Sequence, residues 1–284
     1  MSGAKSNTLE LKEKVCLIAG ASGAIGQAVA RRFARAGASL ALSCHAAKPN
    51  GFLDAISKGA ARVRRFRMDV TDEREVRAFA RHAHQTFGQI DVLVNCTGVL
   101  GPIGPLTTLQ TRDWIRTVEV NLFGSFHLAR AVVPFMQERG GGKIIFISGG
   151  GAAYGRPYFT AYSASKAALV RFTESLAEEL LAANIQVNAI APGPVMSRMW
   201  RQMRAAGAAG GPRLAAELKH MEETGGVAPD RAAALALFLA SEESNSLTGR
   251  LISAIYDDWE NLENRMGQIA GSDAWTLRRM PMPQ

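Results

Sequence analysis

Cysteine is scarce: the 284 residues hold three, Cys16, Cys44 and Cys96. Their number is odd and their spacing is not that of metal ligands, so neither a disulfide framework nor a metal site is expected. They read as reduced thiols of a cytoplasmic protein. A long apolar run is also missing. No window approaches the roughly 18–20 continuous apolar residues of a membrane helix, and Met1 to Lys14 lack the apolar stretch of a secretory signal. Internal repeats and linkers are absent. So is any long basic run or tail, although the formal net charge is +8. The arginines are scattered, as in Arg31, Arg32, Arg35 and the 62–67 segment, which argues against a nucleic-acid partner. A negatively charged cofactor or substrate uses the same field more simply.

What is present is an ordinary globular composition, 47% hydrophobic and 20% charged. The length suits one large α/β domain, and two small domains would also fit. Short β-like runs at 15–19, 40–43, 63–68, 90–94, 143–147, 185–190 and 250–255, the third with alternating arginines that suggest an exposed face, alternate with helical patterns. This alternation predicts an α/β fold: a doubly wound parallel sheet of about seven strands with helices on both faces. Ile25, Val29 and Phe33 mark the first helix. Trp114, Val118, Leu122 and Phe126 line a long middle helix. Leu169, Phe172, Leu176 and Leu180 form the inner stripe of a helix over 163–183. Residues 199–218 are Ala/Gly-rich and are expected to be mobile. The tail after Ala270 is expected to fray or wrap a neighbour.

Two motifs carry chemistry. Gly20, Ala21, Ser22, Gly23, Ala24, Ile25 and Gly26 follow the first strand and open the first helix. Glycines there let the backbone turn sharply beside a pyrophosphate, and the helix start offers N–H donors. Small residues alone equally suit tight packing; the strand–turn–helix context favours phosphate. The second motif is Tyr162-Ser163-Ala164-Ser165-Lys166. Its Tyr and Lys, four residues apart at a helix start, lie on one face.

With Asn121 in the middle helix and Asn95-Cys96-Thr97-Gly98 after the fourth strand, these motifs resemble the short-chain dehydrogenase/reductase family, compact type, over about 11–255. The resemblance implies a Rossmann-like fold and a single cofactor-binding and catalytic domain over 1–284. Within it, 199–225 would be a substrate loop and 256–284 a C-terminal extension. The glycine turn departs from the compact pattern: Ala24 stands at the second glycine position, with Gly23 one place early. The spacing Gly20, Gly23, Gly26 instead matches the longer, sugar-nucleotide-handling members.

The resemblance implies a nicotinamide dinucleotide held by Gly20, Ser22, Gly23, Ala24, Ile25 and Gly26. At the end of strand two the acidic residue that marks NAD use is replaced by Cys44. His45 and Lys48 nearby could meet a 2′-phosphate, although loop residues of this kind are more often solvated. NADP is therefore expected ahead of NAD. By the same resemblance Asp69 and Val70 meet the adenine, Asn95 and Gly98 line the cofactor's path, and Pro192, Gly193, Val195 and Ser197 flank the carboxamide.

The implied chemistry is hydride transfer between an alcohol and a carbonyl of a small molecule. A tyrosine, with a pKa near 10, is a poor base until a cation favours its phenolate. Lys166 is expected to supply that charge and to hold the ribose. Tyr162 would be the general base in oxidation and the general acid in reduction. Asn121 would kink its helix and support a proton relay to Lys166; a mid-helix Asn bonding its own backbone is the plainer alternative. The family's substrate-binding serine falls on Gly149. Ser148, one residue early, should face away unless the glycine run rotates the backbone, yet it is the candidate to fill the gap. Three readings stay open: Tyr162 acts alone, Ser148 or a water substitutes, or the protein binds cofactor with little turnover. A sugar-nucleotide-modifying enzyme is a further alternative. Met199, Trp200, Met203 and the nearby arginines suit a substrate with an apolar body and an anionic end. A homo-dimer or homo-tetramer is expected through the helices at about 112–137 and 163–183.

Overall fold

The structure, a computed structural model, describes residues 9–45, 56, 60–262 and 265–279. Seven strands form one parallel sheet: β1 (Val15–Ala19), β2 (Ser39–Cys44), β3 (Val63–Arg67), β4 (Val92–Asn95), β5 (Gly142–Ile147), β6 (Ile185–Ala191) and β7 (Leu251–Ser253). Their order is β3-β2-β1-β4-β5-β6-β7, as the βαβ alternation predicts. β1, VCLIA, is buried on both faces, which is why it reads as an unbroken apolar run. β3, VRRFR, alternates half-buried and exposed residues at one edge, where arginines discourage pairing with another chain.

Helices cover both faces. On one, α1 (Ala24–Arg35) packs with the later helix α8 (Pro229–Ala240) around Ile18, Phe33, Leu42, Ile145 and Phe238. On the other, α2 (Glu73–Phe87), α4 (Gly124–Arg139) and α5 (Thr160–Glu179) cover Leu17, Phe79, Leu93, Phe146 and Leu169. The strand order reverses between β1 and β4, so their connections leave to opposite faces and a crevice opens at the carboxyl edge.

Three expectations change. The long middle helix is two: α3 (Thr111–Val118) and α4 are joined by a π-helical turn over Glu119–Phe123. The stripe through Phe126 therefore drifts outward, leaving that ring 40% exposed. The segment expected to be mobile is ordered, as α6 (Arg198–Ala206), a 3-10 turn (Gly207–Gly210) and α7 (Gly211–Thr224). Its alanines are strong helix formers, and its glycines sit at the ends and the turn. The tail wraps its own sheet. The Arg250 guanidinium donates to the carbonyls of Ala270, Ser272 and Ala274 at 3.1, 2.7 and 2.8 Å, and Leu251 N–H donates to Trp275 O at 2.7 Å. A short helix, α9 (Met266–Ala270), lies in that segment.

Candidate active site

The glycine turn at the end of β1 is shaped by two glycines and left open by a third. Gly20 has φ +74°, and a Cβ on it would stand 2.9 Å from the Cys96 carbonyl carbon and Thr97 N. Only glycine lets β1 approach the β4 turn so closely. A Cβ on Gly26 would fall 2.3 Å from Gly20 O, so the helix closes over the turn. Gly23 is different. Its φ is −74°, and the nearest atom to an added Cβ is Gly20 O at 3.5 Å. It is exposed, and it caps α1 with no side-chain hydrogen bond among the described residues. The first-turn N–H groups that begin with Ala24 and Ile25 therefore point at a surface free to take an anion. Gln27 Nε2 donates to Ser22 O at 2.8 Å and fixes the turn.

Beside it, β2 ends in buried Ser43 and Cys44. Among the described residues the Ser43 hydroxyl is buried with no hydrogen-bond partner. His45 is 73% exposed, with Nε2 3.5 Å from Asp69 Oδ2; Lys48 lies outside the described residues. Asp69 Oδ1 accepts from Thr71 N–H and Oγ1 at 2.9 and 2.8 Å. Partial burial opposes its ionisation, but the Thr71 donors, Arg116 and His45 outweigh it and hold the carboxyl below its usual range. Val70 packs where a Gly124 side chain would be, 2.7 Å from an added Cβ. The Asn95 side chain is spent inside the protein. It donates to Ser125 Oγ at 2.9 Å and accepts from Thr97 N–H and Oγ1 at 2.9 and 2.6 Å. It shapes the turn that Gly98 continues.

Gly98 leads to the centre of the crevice. A Cβ there would meet Asn121 Oδ1 at 3.3 Å, Met199 Cε at 3.4 Å and Lys166 Nζ at 3.5 Å. Asn121 sits in the π-helical turn and its side chain is fully engaged. Nδ2 donates to Val99 O and Ser165 Oγ, and Oδ1 accepts from Val99 N–H, all at 2.9 Å. It is not bonded to its own backbone, so the plainer alternative for this residue falls. Ser165 in turn donates to Tyr162 O at 2.8 Å. This serine links Asn121 to the tyrosine's helix; its sequence signal was its place within the Tyr-to-Lys motif.

Tyr162 and Lys166 lie in the first turns of α5, buried, with Nζ 5.9 Å from the phenol ring centroid. Nζ donates to Ile147 O at 2.8 Å. Burial lowers the Lys166 pKa to about 8, with Cys96 opposing it weakly. Burial also raises the Tyr162 pKa; Arg156 counteracts this and Tyr154 adds to it. From the sequence, Lys166 is expected to make the phenol more acidic; around the buried phenol, desolvation is the larger effect.

Ser148 is not brought to the phenol. Its buried hydroxyl points to Lys166 O at 3.4 Å, and Gly149, at φ 173° and ψ 165°, stays extended rather than rotating it round. The position facing the phenol belongs to Gly149, whose added Cβ would lie 2.7 Å from Tyr162 Oη.

The far wall comes from the segment after β6. Gly193 has φ +79° and packs its α-carbon against Ile255 and Val227. Pro192 and Val195 are buried, and Ser197 precedes α6 without capping it. α6 and α7 then fold over the crevice as a lid. Leu214 of α7 joins Leu100, Phe159 and Tyr162 in a buried apolar cluster flanked by Met199 and Met203. Tyr162 is left 9% exposed.

This geometry is what a known family would place here, and a family model described as short chain dehydrogenase matches residues 14–207. The chain belongs to the short-chain dehydrogenase/reductase family. The 3-oxoacyl-(acyl-carrier-protein) reductase of Thermotoga maritima is 35% identical to this dehydrogenase over 250 residues, covering 86% of this chain and 97% of that one. A 7alpha-hydroxysteroid dehydrogenase of Escherichia coli is 37% identical over 193 residues, covering 68% and 75%. The crystal structure of an NAD+-bound xylitol dehydrogenase superposes with a TM-score of 0.75 at 29% identity, over 85% of this chain and 97% of that one. This dehydrogenase is an oxidoreductase acting on CH–OH groups, and its family binds nicotinamide cofactors. No helix among the described residues is long and apolar enough to cross a membrane.

Proposed function

We propose that this dehydrogenase interconverts an alcohol and a carbonyl on a small molecule, with Tyr162 moving the proton while the hydride passes to or from a nicotinamide. The observation that carries the reading is the convergence of Gly98, Asn121, Tyr162 and Lys166 at the crevice floor, where a Cβ on Gly98 would stand 3.3 Å from Asn121 Oδ1 and 3.5 Å from Lys166 Nζ.

The residues fit a nicotinamide dinucleotide. Gly23 leaves an open face, and the uncapped start of α1 offers N–H donors to a pyrophosphate. Asp69 and Val70 would border the adenine, Tyr162 and Lys166 the nicotinamide ribose, and Pro192, Gly193, Val195 and Ser197 the carboxamide. The cofactor supplies the hydride acceptor or donor, and in its oxidised form a positive charge. NADP is the proposed preference. Among the described residues β2 itself ends in Ser43 and Cys44 rather than in a carboxylate, and exposed His45, balanced by Asp69 at 3.5 Å, would be the group that meets a 2′-phosphate.

Tyr162 in its neutral form is a ready general acid: burial keeps its proton on at neutral pH. In carbonyl reduction the proton leaves Oη for the new alkoxide, and in alcohol oxidation the phenolate takes it back. Asn121, held by Val99 and Ser165, fixes the bent helix beside Lys166 and so positions the ammonium rather than touching substrate.

A second reading has its own observation. Because Gly149 presents no hydroxyl to the phenol, a cofactor-binding protein with little turnover has a physical basis; losing one such donor costs about 10² to 10³ in rate. A sugar-nucleotide role loses ground to the near full-length match with a compact reductase. We also propose a homo-dimer or homo-tetramer through α4 and α5. Phe123 and Phe126 stand half exposed there, and the Phe126 ring meets Phe172 edge-on at 6.4 Å.

Equilibrium binding of NADPH and NADH, followed by turnover of a panel of ketones with each, tests the reading. Tight NADPH binding with ketone reduction is expected. Equal affinities would overturn the cofactor preference, and binding without turnover of any ketone would favour the second reading.

A further inference from the structure

Arg156, six residues before Tyr162 in the chain, is a cation enclosed at the wall of the crevice. Its side chain is 14% exposed. Cζ lies 4.0 Å from the Phe159 ring centroid, and Phe159 shares the buried cluster with Tyr162 and Leu214. Its Nη2 lies 3.4 Å from Met203 Sδ of α6 and bonds the Glu217 carboxylate of α7. Glu217 is also 3.5 Å from Arg213 Nε. The Arg156 charge reaches the crevice, since it is the group that most opposes the rise in the Tyr162 pKa.

The two contacts that satisfy Arg156 both belong to the lid. Tyr162 is covered by that same lid, so a substrate reaches Oη only if α6 and α7 move. Movement carries the Glu217 carboxylate away and leaves a guanidinium, still stacked on Phe159, facing an apolar pocket beside the phenol. A guanidinium released by the lid is free to take another anion, and it pairs best with a planar carboxylate. Two of the lid's arginines are engaged elsewhere: Arg204 with Glu222 at 3.4 Å and the Trp200 ring, and half-exposed Arg213 with the Tyr154 ring.

We propose that Arg156 recognises a carboxylate on the substrate, and that Glu217 of the lid holds that place until the substrate arrives. The substrate class is then an oxo- or hydroxy-carboxylate with an apolar body. The proposal rests on the reading of the Tyr162 crevice as the site of alcohol–carbonyl exchange. It makes Arg156 a specificity residue: carboxylate and lid carboxylate compete for one guanidinium.

The test is calorimetric binding of three acids, 4-oxocyclohexanecarboxylate, 4-oxopentanoate and 3-oxooctanoate, each beside its amide. It uses the full chain with oxidised NADP+ or NAD+, which cannot reduce them. Wild type is expected to bind at least one acid about ten-fold or more tightly than its amide, the worth of one charge-assisted hydrogen bond. Arg156→Gln should lose that preference and Arg156→Lys keep part of it. Glu217→Gln should bind the acid more tightly than wild type, because the competing charge is gone. Equal binding of all acids and amides, no binding of either, or a preference that survives Arg156→Gln overturns the proposal. Should Arg156→Gln fail to fold, weaker acid binding by Glu217→Gln overturns it instead. Failure of the Tyr162 reading would be seen separately, as absent ketone turnover in an enzyme that still distinguishes acid from amide.

Discussion

Gly149 and Tyr162 share one volume: a methyl group built on the glycine would stand 2.7 Å from the phenol oxygen. The hydroxyl of Tyr162 occupies the space that a side chain at 149 would take. Gly149→Ala should therefore push Oη aside and lower kcat, and a displacement of about 1 Å costs on the order of 10²-fold. Gly149→Ser imposes the same displacement but adds a donor. The ratio of the two variants isolates the hydroxyl, and steady-state kinetics should show Ser faster than Ala by about 10². Equal rates for both variants and wild type would show that the contact is irrelevant to catalysis.

The three glycines of the phosphate turn should separate fold from binding. Gly23→Ala meets no atom closer than 3.5 Å at an ordinary φ, so its Tm should match wild type. Its new methyl stands where the pyrophosphate must approach, and NADPH affinity should fall by about ten-fold or more, about 1.4 kcal/mol. Gly26→Ala collides with Gly20 O at 2.3 Å and should lower Tm or prevent folding. A Gly23→Ala variant with unchanged affinity would place the dinucleotide elsewhere.

Lys166 carries a cost in stability. Its pKa falls from the ordinary 10.5 to about 8 in the folded chain. Between these values the unfolded chain binds more protons than the folded one, so stability from this group rises with pH across that window. Below about pH 8 both states are charged and the full penalty, about 3 kcal/mol, stands. Urea unfolding of wild type and Lys166→Met should show the difference shifting toward wild type from pH 8 to 10.5. Parallel curves would refute it. Activity should run the other way, falling above about pH 8 as the ammonium beside Tyr162 is lost.

Phe126→Glu should dissociate the proposed α4–α5 assembly, because a carboxylate replaces a half-exposed ring on α4. Light scattering should report a dimer or tetramer for wild type and a smaller species for the variant. A monomeric wild type contradicts the assembly.

Much of this was legible in the sequence. The central strands were readable because buried parallel strands leave unbroken apolar runs such as Val15–Ala19, whereas edge strand β3 carries three arginines in VRRFR. The glycine turn was readable because its glycines lie between a strand and a helix, and Gly20 does take φ +74° beside Cys96. What was not legible depends on distant partners. The π-helical turn at Asn121 is held by Val99 and Ser165, from two other segments. The lid was taken for loose chain because its glycines were weighed as breakers. In the structure Gly211 is the point where α7 packs on Tyr158, an added Cβ lying 2.3 Å from that ring. The sign of the Tyr162 shift was missed for the same reason. A neighbouring lysine is visible four residues away, whereas burial by Leu214 comes from a helix about fifty residues on.

The account turns on Tyr162 as the proton donor in carbonyl reduction, and Tyr162→Phe tests it most directly. With NADPH and a ketone that wild type reduces, single-turnover kinetics should show a loss of about 10² to 10⁴, while the Kd for NADPH stays close to the wild-type value. A phenylalanine variant that reduces the ketone at the wild-type rate would contradict the account.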